Sequence, residues 1–327
     1  MRIHIKAGLL GLAVSLAGGL AMAQPAFWTR EWPVTDFSRK SVEFVEIMGG
    51  GPPRDGIPSV DDPVFKPVDQ ERELNPTEPV AVIEAEGEPA RAYPYRYLIW
   101  HEIVNDTVGG VPVAVTYCPL CATIIVFERT INGKVTTFGT TGKLRLSNLI
   151  MYDRETESWW QQAEGRAIVG ELTGQTLTPV ISWTESWEEF KARNPDGLVM
   201  DSPRAGRPYG SNPYAGYDTS ARPFLYNGEN PPFGIPPLAR VIKVGKRAWP
   251  LDRLRDVETL TEAGVTITWK AGQNSALDRR DIGKGRDIGM IRVKDAESGE
   301  DMLHDVLFAF AFQAFEPDGE WMIGETR

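Results

Sequence analysis

The stretch VIEAEGEPARAYPYRYL, starting at Val82, returns in altered form as VIKVGKRAWPLDRL, starting at Val241. In both, a Val-Ile run and a turn lead into Arg-Ala-aromatic-Pro. Further along each copy, Val115-Thr116-Tyr117 is matched by Ile267-Thr268-Trp269. Self-similarity of this kind limits what a chain can fold into, because each copy is one supersecondary unit that must bury its apolar face against neighbours. The units are β in texture. Val111, Val113, Val115 and Tyr117 alternate along one face, and Asn132-Gly133 between two β-like runs is a strong hairpin signal. Helical texture is confined to short stretches at residues 94–100 and 187–193. The expectation is a mainly β chain with short helices (α+β), folded as two related β-rich units in one compact body. A doubly wound sheet is disfavoured, since it needs regular helices between its strands.

The rest of the chain divides by composition. Residues 1–23 have a basic start (Arg2, Lys6), an apolar run from Ala7 to Leu20 and Ala21-Met22-Ala23 before Gln24. That is the layout of a secretory signal peptide cleaved near Ala23. The run is short for a membrane span of about 20 residues, so no span is expected in the mature protein. No cysteine stands near the cleavage point for a lipid anchor, and no twin arginine is present. A periplasmic or secreted location follows. Residues 24–79, with GGGPPRDGIPSVDDPVF, read as a long N-terminal wrapping segment. Residues 80–193 form the first β-rich unit, 194–237 a Pro-, Gly- and Tyr-rich connection, and 238–327 the second unit. A hydrophobic fraction of 42% with ten tryptophans supplies a core, and the net charge of −10 disfavours nucleic acid as a partner.

Only two cysteines occur, Cys118 and Cys121, in VTYCPLCAT. In the oxidising compartment that the leader implies, a bare pair forms a disulfide unless a metal or a reductant holds it. A thioredoxin-type site needs a helix after the pair, whereas Ala122 to Phe127 is β-branched. The pair therefore belongs on a β-loop-β knuckle. A Cys-Pro-x-Cys knuckle is half of a tetrahedral thiolate site, and the second half is missing. The candidate completing ligands are His101, just before the Cys strand, and the thioether of Met151, a soft donor suited to Cu(I). His304 is the weaker histidine candidate. Asp153 and Arg154, in the charged run beside Trp159 and Trp160, are candidates for acid–base work. Neither G-x-S-x-G nor H-E-x-x-H occurs. In the second copy of the echo, Lys270-Ala271-Gly272-Gln273 stands where the cysteines are, which points to a functional pair rather than a structural one.

The runs RAYPYRYLIWHEIVNDTVGGVPVAVTYCPLC, VFER and FGTTGKLRLSNLIMYDRETESWWQQ resemble the DUF3179 family of exported bacterial proteins, a domain of unknown function. GGGPPRDGIPSVDDPVF, NPDG and YGSNPYAGY extend the likeness over most of the mature chain. The resemblance implies that His101, Asn105, Asp106, Cys118, Cys121, Asp153, Arg154 and Gln161 belong to one signature. The chain departs from it at Thr141, Arg145 and Asn148. Three functions stay open: a metal-binding protein using Cys118, Cys121, His101 and Met151, with copper first and zinc second; a thiol–disulfide oxidoreductase with a periplasmic redox partner, Cys118 attacking; or a binding module whose cysteines form a structural disulfide.

Overall fold

The structure is a computed structural model that describes residues 26–203 and 205–324; the expected signal peptide lies outside them. The chain is mostly strand, 37% against 14% helix, and its sheets are set as the five blades of a β-propeller. This corrects the expectation of two β-rich units in one α+β body. The physical reason lies in the short helices and in one sheet without a counterpart. Tyr95–His101 follows the hairpin Pro79–Ile83/Arg91–Pro94 and turns the chain away. The next hairpin, Ile103–Val108/Val111–Cys118, is therefore built into a different sheet.

The first blade orders its strands Trp183–Ser186, Pro79–Ile83, Arg91–Pro94, Leu198–Met200 and Phe65–Pro67. The second runs Pro179–Val180, Thr123–Glu128, Val111–Cys118, Ile103–Val108 and Val60–Asp61. The third is Ile47–Gly49, Phe138–Arg145, Asn148–Asp153, Trp159–Gln161 and Arg166–Val169. The fourth, Asp305–Phe308, Arg240–Val244, Arg247–Pro250 and Glu320–Trp321, repeats the first in order and direction. In both, the last of these four strands pairs parallel, after a seven-residue helix and a Pro-Asp-Gly turn. The fifth, Thr259–Glu262, Val265–Lys270 and Met290–Asp295, matches the middle of the second. The echo at Val82 and Val241 is thus a shared strand order between separate blades. The third blade has no partner in the echo.

The wrapping segment contributes edge strands to three blades: Ile47–Gly49, Val60–Asp61 and Phe65–Pro67. Ahead of them, Trp28, Trp32, Phe37 and Phe44 pack on Trp159 and Tyr152 of the third blade, with Trp32 4.7 Å from Tyr152 and 5.4 Å from Trp159, centroid to centroid. Edge-to-face pairs of this kind add about 0.5–1.5 kcal/mol each beyond burial. Strand Val111–Cys118 is buried over its last six residues, as its near-continuous apolar run requires.

The third blade bulges between Thr140 and Lys143, where Gly142 sits at φ +68°. A Cβ there would run into the Pro52 backbone of the wrapping segment, whose Gly50 N–H bonds the Gly142 carbonyl at 2.8 Å. Gly142→Ala should therefore lower stability by at least about 1–3 kcal/mol from the backbone conformation alone. Urea unfolding checks this; an unchanged midpoint would show that the segment is not seated on the bulge.

Candidate functional site

The knuckle closes with two tight backbone bonds, Cys121 N–H to the Cys118 carbonyl and Ala122 N–H to the Pro119 carbonyl, both 3.2 Å. Ala122 takes φ +55° to return the chain into Thr123–Glu128, opposite Cys118. The sulfurs are brought together, buried at 1% and 0% exposure, and are free thiols rather than a disulfide. In the matching fifth-blade turn, the Gly272 and Gln273 N–H groups bond the Asp287 carboxylate at 2.9 and 3.2 Å. A turn at this place in a blade can be held without sulfur.

Above the sulfurs lies the turn between Phe138–Arg145 and Asn148–Asp153. Leu146 and Ser147 occupy it at φ +51° and +62°, the geometry that Asn-Gly normally takes. It aims the Ser147 carbonyl at both thiols, 3.4 Å from Cys121 Sγ and 3.9 Å from Cys118 Sγ. Asn148 Nδ2 donates to Cys121 Sγ at 3.5 Å and to Gln162 Oε1 at 2.8 Å, while Gln162 Nε2 donates to Thr116 Oγ1 at 3.1 Å.

The two thiols are unequal. Burial pushes the Cys118 thiol up, but hydrogen bonds from the Cys121 thiol and from the backbone N–H groups of Leu149, Cys121 and Leu120 outweigh it and hold Cys118 below its ordinary value. Burial and the neighbouring Cys118 sulfur push Cys121 well up.

A cavity of about 530 Å³ opens beside the pair, between the second and third blades and under the connection at Pro213–Tyr217. Leu120, which stands between the two cysteines in the knuckle, and Leu149, next to the Asn148 amide that bonds Cys121, form part of its wall. Glu102 forms another part. It stands at the C-terminal cap of helix Tyr95–His101 with φ +58°, where glycine is the usual residue. Its backbone carbonyl accepts from Tyr117 N–H at 2.7 Å, one residue before Cys118. Burial, and after it the Cys118 charge, push its carboxyl well above the usual range. The opposite wall carries Lys143, paired with Glu31 at 2.9 Å and lying 5.1 Å from the Trp32 ring centroid.

The other sequence candidates lie elsewhere. His101 has both ring nitrogens engaged, Nδ1 with the Pro58 carbonyl and Nε2 with the Tyr209 hydroxyl, each at 2.7 Å. Met151 is core between Thr140 and Trp160, three residues along the strand from Asn148, or about 10 Å at strand rise. Asp153 is about 17 Å along by the same rise, and accepts from the Thr156 N–H and hydroxyl and the Trp160 indole. Arg154 pairs with Asp61 at 3.0 Å and Ser59 at 2.6 Å. The His304 Nδ1 bonds the Met302 carbonyl. Among the described residues no group of three or more His, Cys, Asp or Glu is gathered to hold a metal ion. Glu102 and Ser147 were missed by sequence reasoning. The one available signal was a helix followed directly by Glu, with no glycine, before a β run.

Fold and site define a β-propeller with a buried dithiol under an apolar-walled cavity. The chain belongs to the DUF3179 family, described as a protein of unknown function, whose family model matches residues 54–319. No curated protein and no solved structure matches it. Among the described residues no helix is long and apolar enough to cross a membrane.

The raised Glu102 carboxyl has a consequence for stability. The folded protein keeps this proton at pH values where the unfolded chain, at about 4.3, has lost it. The stabilisation is full below that value and falls by up to about 1.4 kcal/mol per pH unit until the folded value is passed. Glu102→Gln lacks this loss. Its urea midpoint should rise relative to wild type from pH 5 to 6.5, and parallel profiles would mean that the carboxyl ionises in the folded state as it does in water.

Proposed function

We propose that the protein is an exported thiol redox protein, in which Cys118 and Cys121 give two electrons to an acceptor and become a disulfide. The observation that carries this reading is a pair of free thiols, two residues apart on a knuckle, buried beside a cavity. Their surroundings lower the Cys118 thiol and raise the Cys121 thiol, and both sulfurs lie under the Ser147 carbonyl, 3.9 and 3.4 Å away. Thiol exchange uses such a division: the thiolate attacks the acceptor, and the second sulfur then attacks the first and releases the reduced product. The basic start, apolar run and Ala21-Met22-Ala23 support export.

The metal reading has less support. Zn(II) takes four donors, and His101 spends its nitrogens on Pro58 and Tyr209. The two sulfurs suit Cu(I) in softness, but Cu(I) thiolate binding asks Cys121 to give up the proton that its surroundings favour.

Protein purified without oxygen should carry two titratable thiols and no stoichiometric metal. Its dithiol–disulfide midpoint should be less negative than about −300 mV, the range below which structural disulfides lie. Cys118→Ser should abolish electron transfer. One bound metal per chain that masks both thiols until chelation would overturn the redox reading.

A further inference from the structure

The acceptor's chemistry is written in the cavity walls. Leu120, Leu144, Leu149, Tyr214, Tyr217 and Phe224 make most of them apolar or aromatic. The space of about 530 Å³ is within the usual range for a small-molecule site. One polar group has no use in the fold. Glu102 is buried, with 7% of the residue exposed, and lines this space. Its carboxyl makes no hydrogen bond among the described residues, and burial, with the Cys118 charge after it, favours its protonated form. Burying a carboxyl without a partner is costly, and an αL conformation adds to that at a residue other than glycine. Both costs fall on one residue beside Cys118.

We propose that this cavity binds a neutral, flat quinone, with a carbonyl oxygen accepting a hydrogen bond from the Glu102 carboxyl, and that the quinone is the acceptor of the Cys118–Cys121 electrons. The second part rests on the redox reading above. Three features select this class. A negatively charged disulfide peptide finds no unpaired cation on these walls among the described residues, since Lys143 is paired with Glu31. A peroxide leaves most of the space and its apolar walls unused. A quinone fills apolar space, is neutral, and takes up two electrons and two protons.

The site holds that complement. The Cys118 thiolate adds to a ring carbon, forming a carbon–sulfur bond, and the displaced electron pair on the carbonyl oxygen takes the Glu102 proton. Cys121 sulfur then attacks Cys118 sulfur, the carbon–sulfur bond breaks with its electrons passing to the ring, and the Cys121 proton goes to the second oxygen. One thiolate, one thiol, one carboxylic acid and one quinone become a disulfide, a carboxylate and a hydroquinone, with the total charge unchanged. Leu120 and Leu149 line the cavity and neither cysteine does, so the attack requires the Leu120 side chain to swing aside.

The test uses 2-methyl-1,4-naphthoquinone with the anaerobic, reduced full-length protein. One equivalent should be converted to hydroquinone as both thiols are lost. Cys121→Ser should stop at a covalent adduct of one quinone on Cys118, seen by mass spectrometry. Binding is read separately by tryptophan quenching in the redox-dead Cys118→Ser/Cys121→Ser protein. Adding Glu102→Ala to it should weaken binding about tenfold, about 1.4 kcal/mol. Adding Glu102→Gln, which keeps an N–H donor and the side-chain volume, should leave binding within about twofold. In the wild-type background Glu102→Gln should slow reduction. No quenching in the redox-dead protein, while a small aromatic disulfide still oxidises the wild-type pair, overturns the quinone and leaves the redox reading standing. Quenching with no oxidation by either reagent overturns the redox reading and keeps the binding site. Oxidation by the soluble quinone but not by a long-chain quinone in phosphatidylcholine vesicles assigns a soluble ligand, and oxidation by both assigns a membrane-borne one.

Discussion

Two adjacent side chains, Asn105 and Asp106, hold three of the five blades together. Successive residues of a strand point to opposite faces, and here each face meets a different neighbour. Asn105 behaves as a piece of backbone: Nδ2 donates to the Phe138 carbonyl and Oδ1 accepts from Phe138 N–H, both at 2.9 Å, so the third blade is bonded to the second without a shared strand. Asp106 accepts from Arg91 and from the Tyr93 hydroxyl, each at 2.6 Å, and ties in the first blade. The cavity depends on this join, because Glu102 and Leu120 come from one side of it and Lys143, Leu144 and Leu149 from the other. Removing the Asn105 amide leaves two buried backbone groups unpaired, at about 1–3 kcal/mol each.

Around the sulfurs the backbone is held in conformations that its residues do not favour. Glu102, Ala122, Leu146 and Ser147 all have positive φ and none is glycine. Each has a definite consequence: Glu102 turns its carboxyl to the cavity, Ala122 closes the knuckle, and the Leu146-Ser147 turn sets a carbonyl over both thiols. Strain of this kind persists only where the surroundings over-determine it. The buried amides of Asn148, Gln161 and Gln162 provide that support, with Gln161 Nε2 donating to Asn148 Oδ1 at 2.6 Å.

Much of this was legible in the residues. Alternation at Val111, Val113, Val115 and Tyr117 marked the Cys strand, which runs Val111–Cys118. Asn132-Gly133 marked a hairpin that pairs Thr130–Ile131 with Lys134–Val135. The knuckle followed from β-branched residues after the second cysteine. The number of sheets was not legible, because periodicity reports which face of a strand is buried and not which sheet it joins. For His101, proximity in sequence says nothing of the Pro58 carbonyl and Tyr209 hydroxyl that engage its ring. Glu102 stayed hidden for a related reason. Its importance lies in a backbone angle and a missing partner, and neither has a letter in the sequence.

The aromatic cluster under the wrapping segment has a bearing on how the chain comes to be folded. Trp28, Trp32, Phe37 and Phe44 are made early, yet the surfaces they cover are Ile150, Tyr152, Trp159, Ile168 and Val169. Contacts between segments this far apart close late, after the intervening chain has been ordered. Until residues 150–169 are delivered, these four large aromatic side chains lack their full set of native partners from the third blade. An apolar surface of four aromatic rings therefore stays open while the third blade is being made.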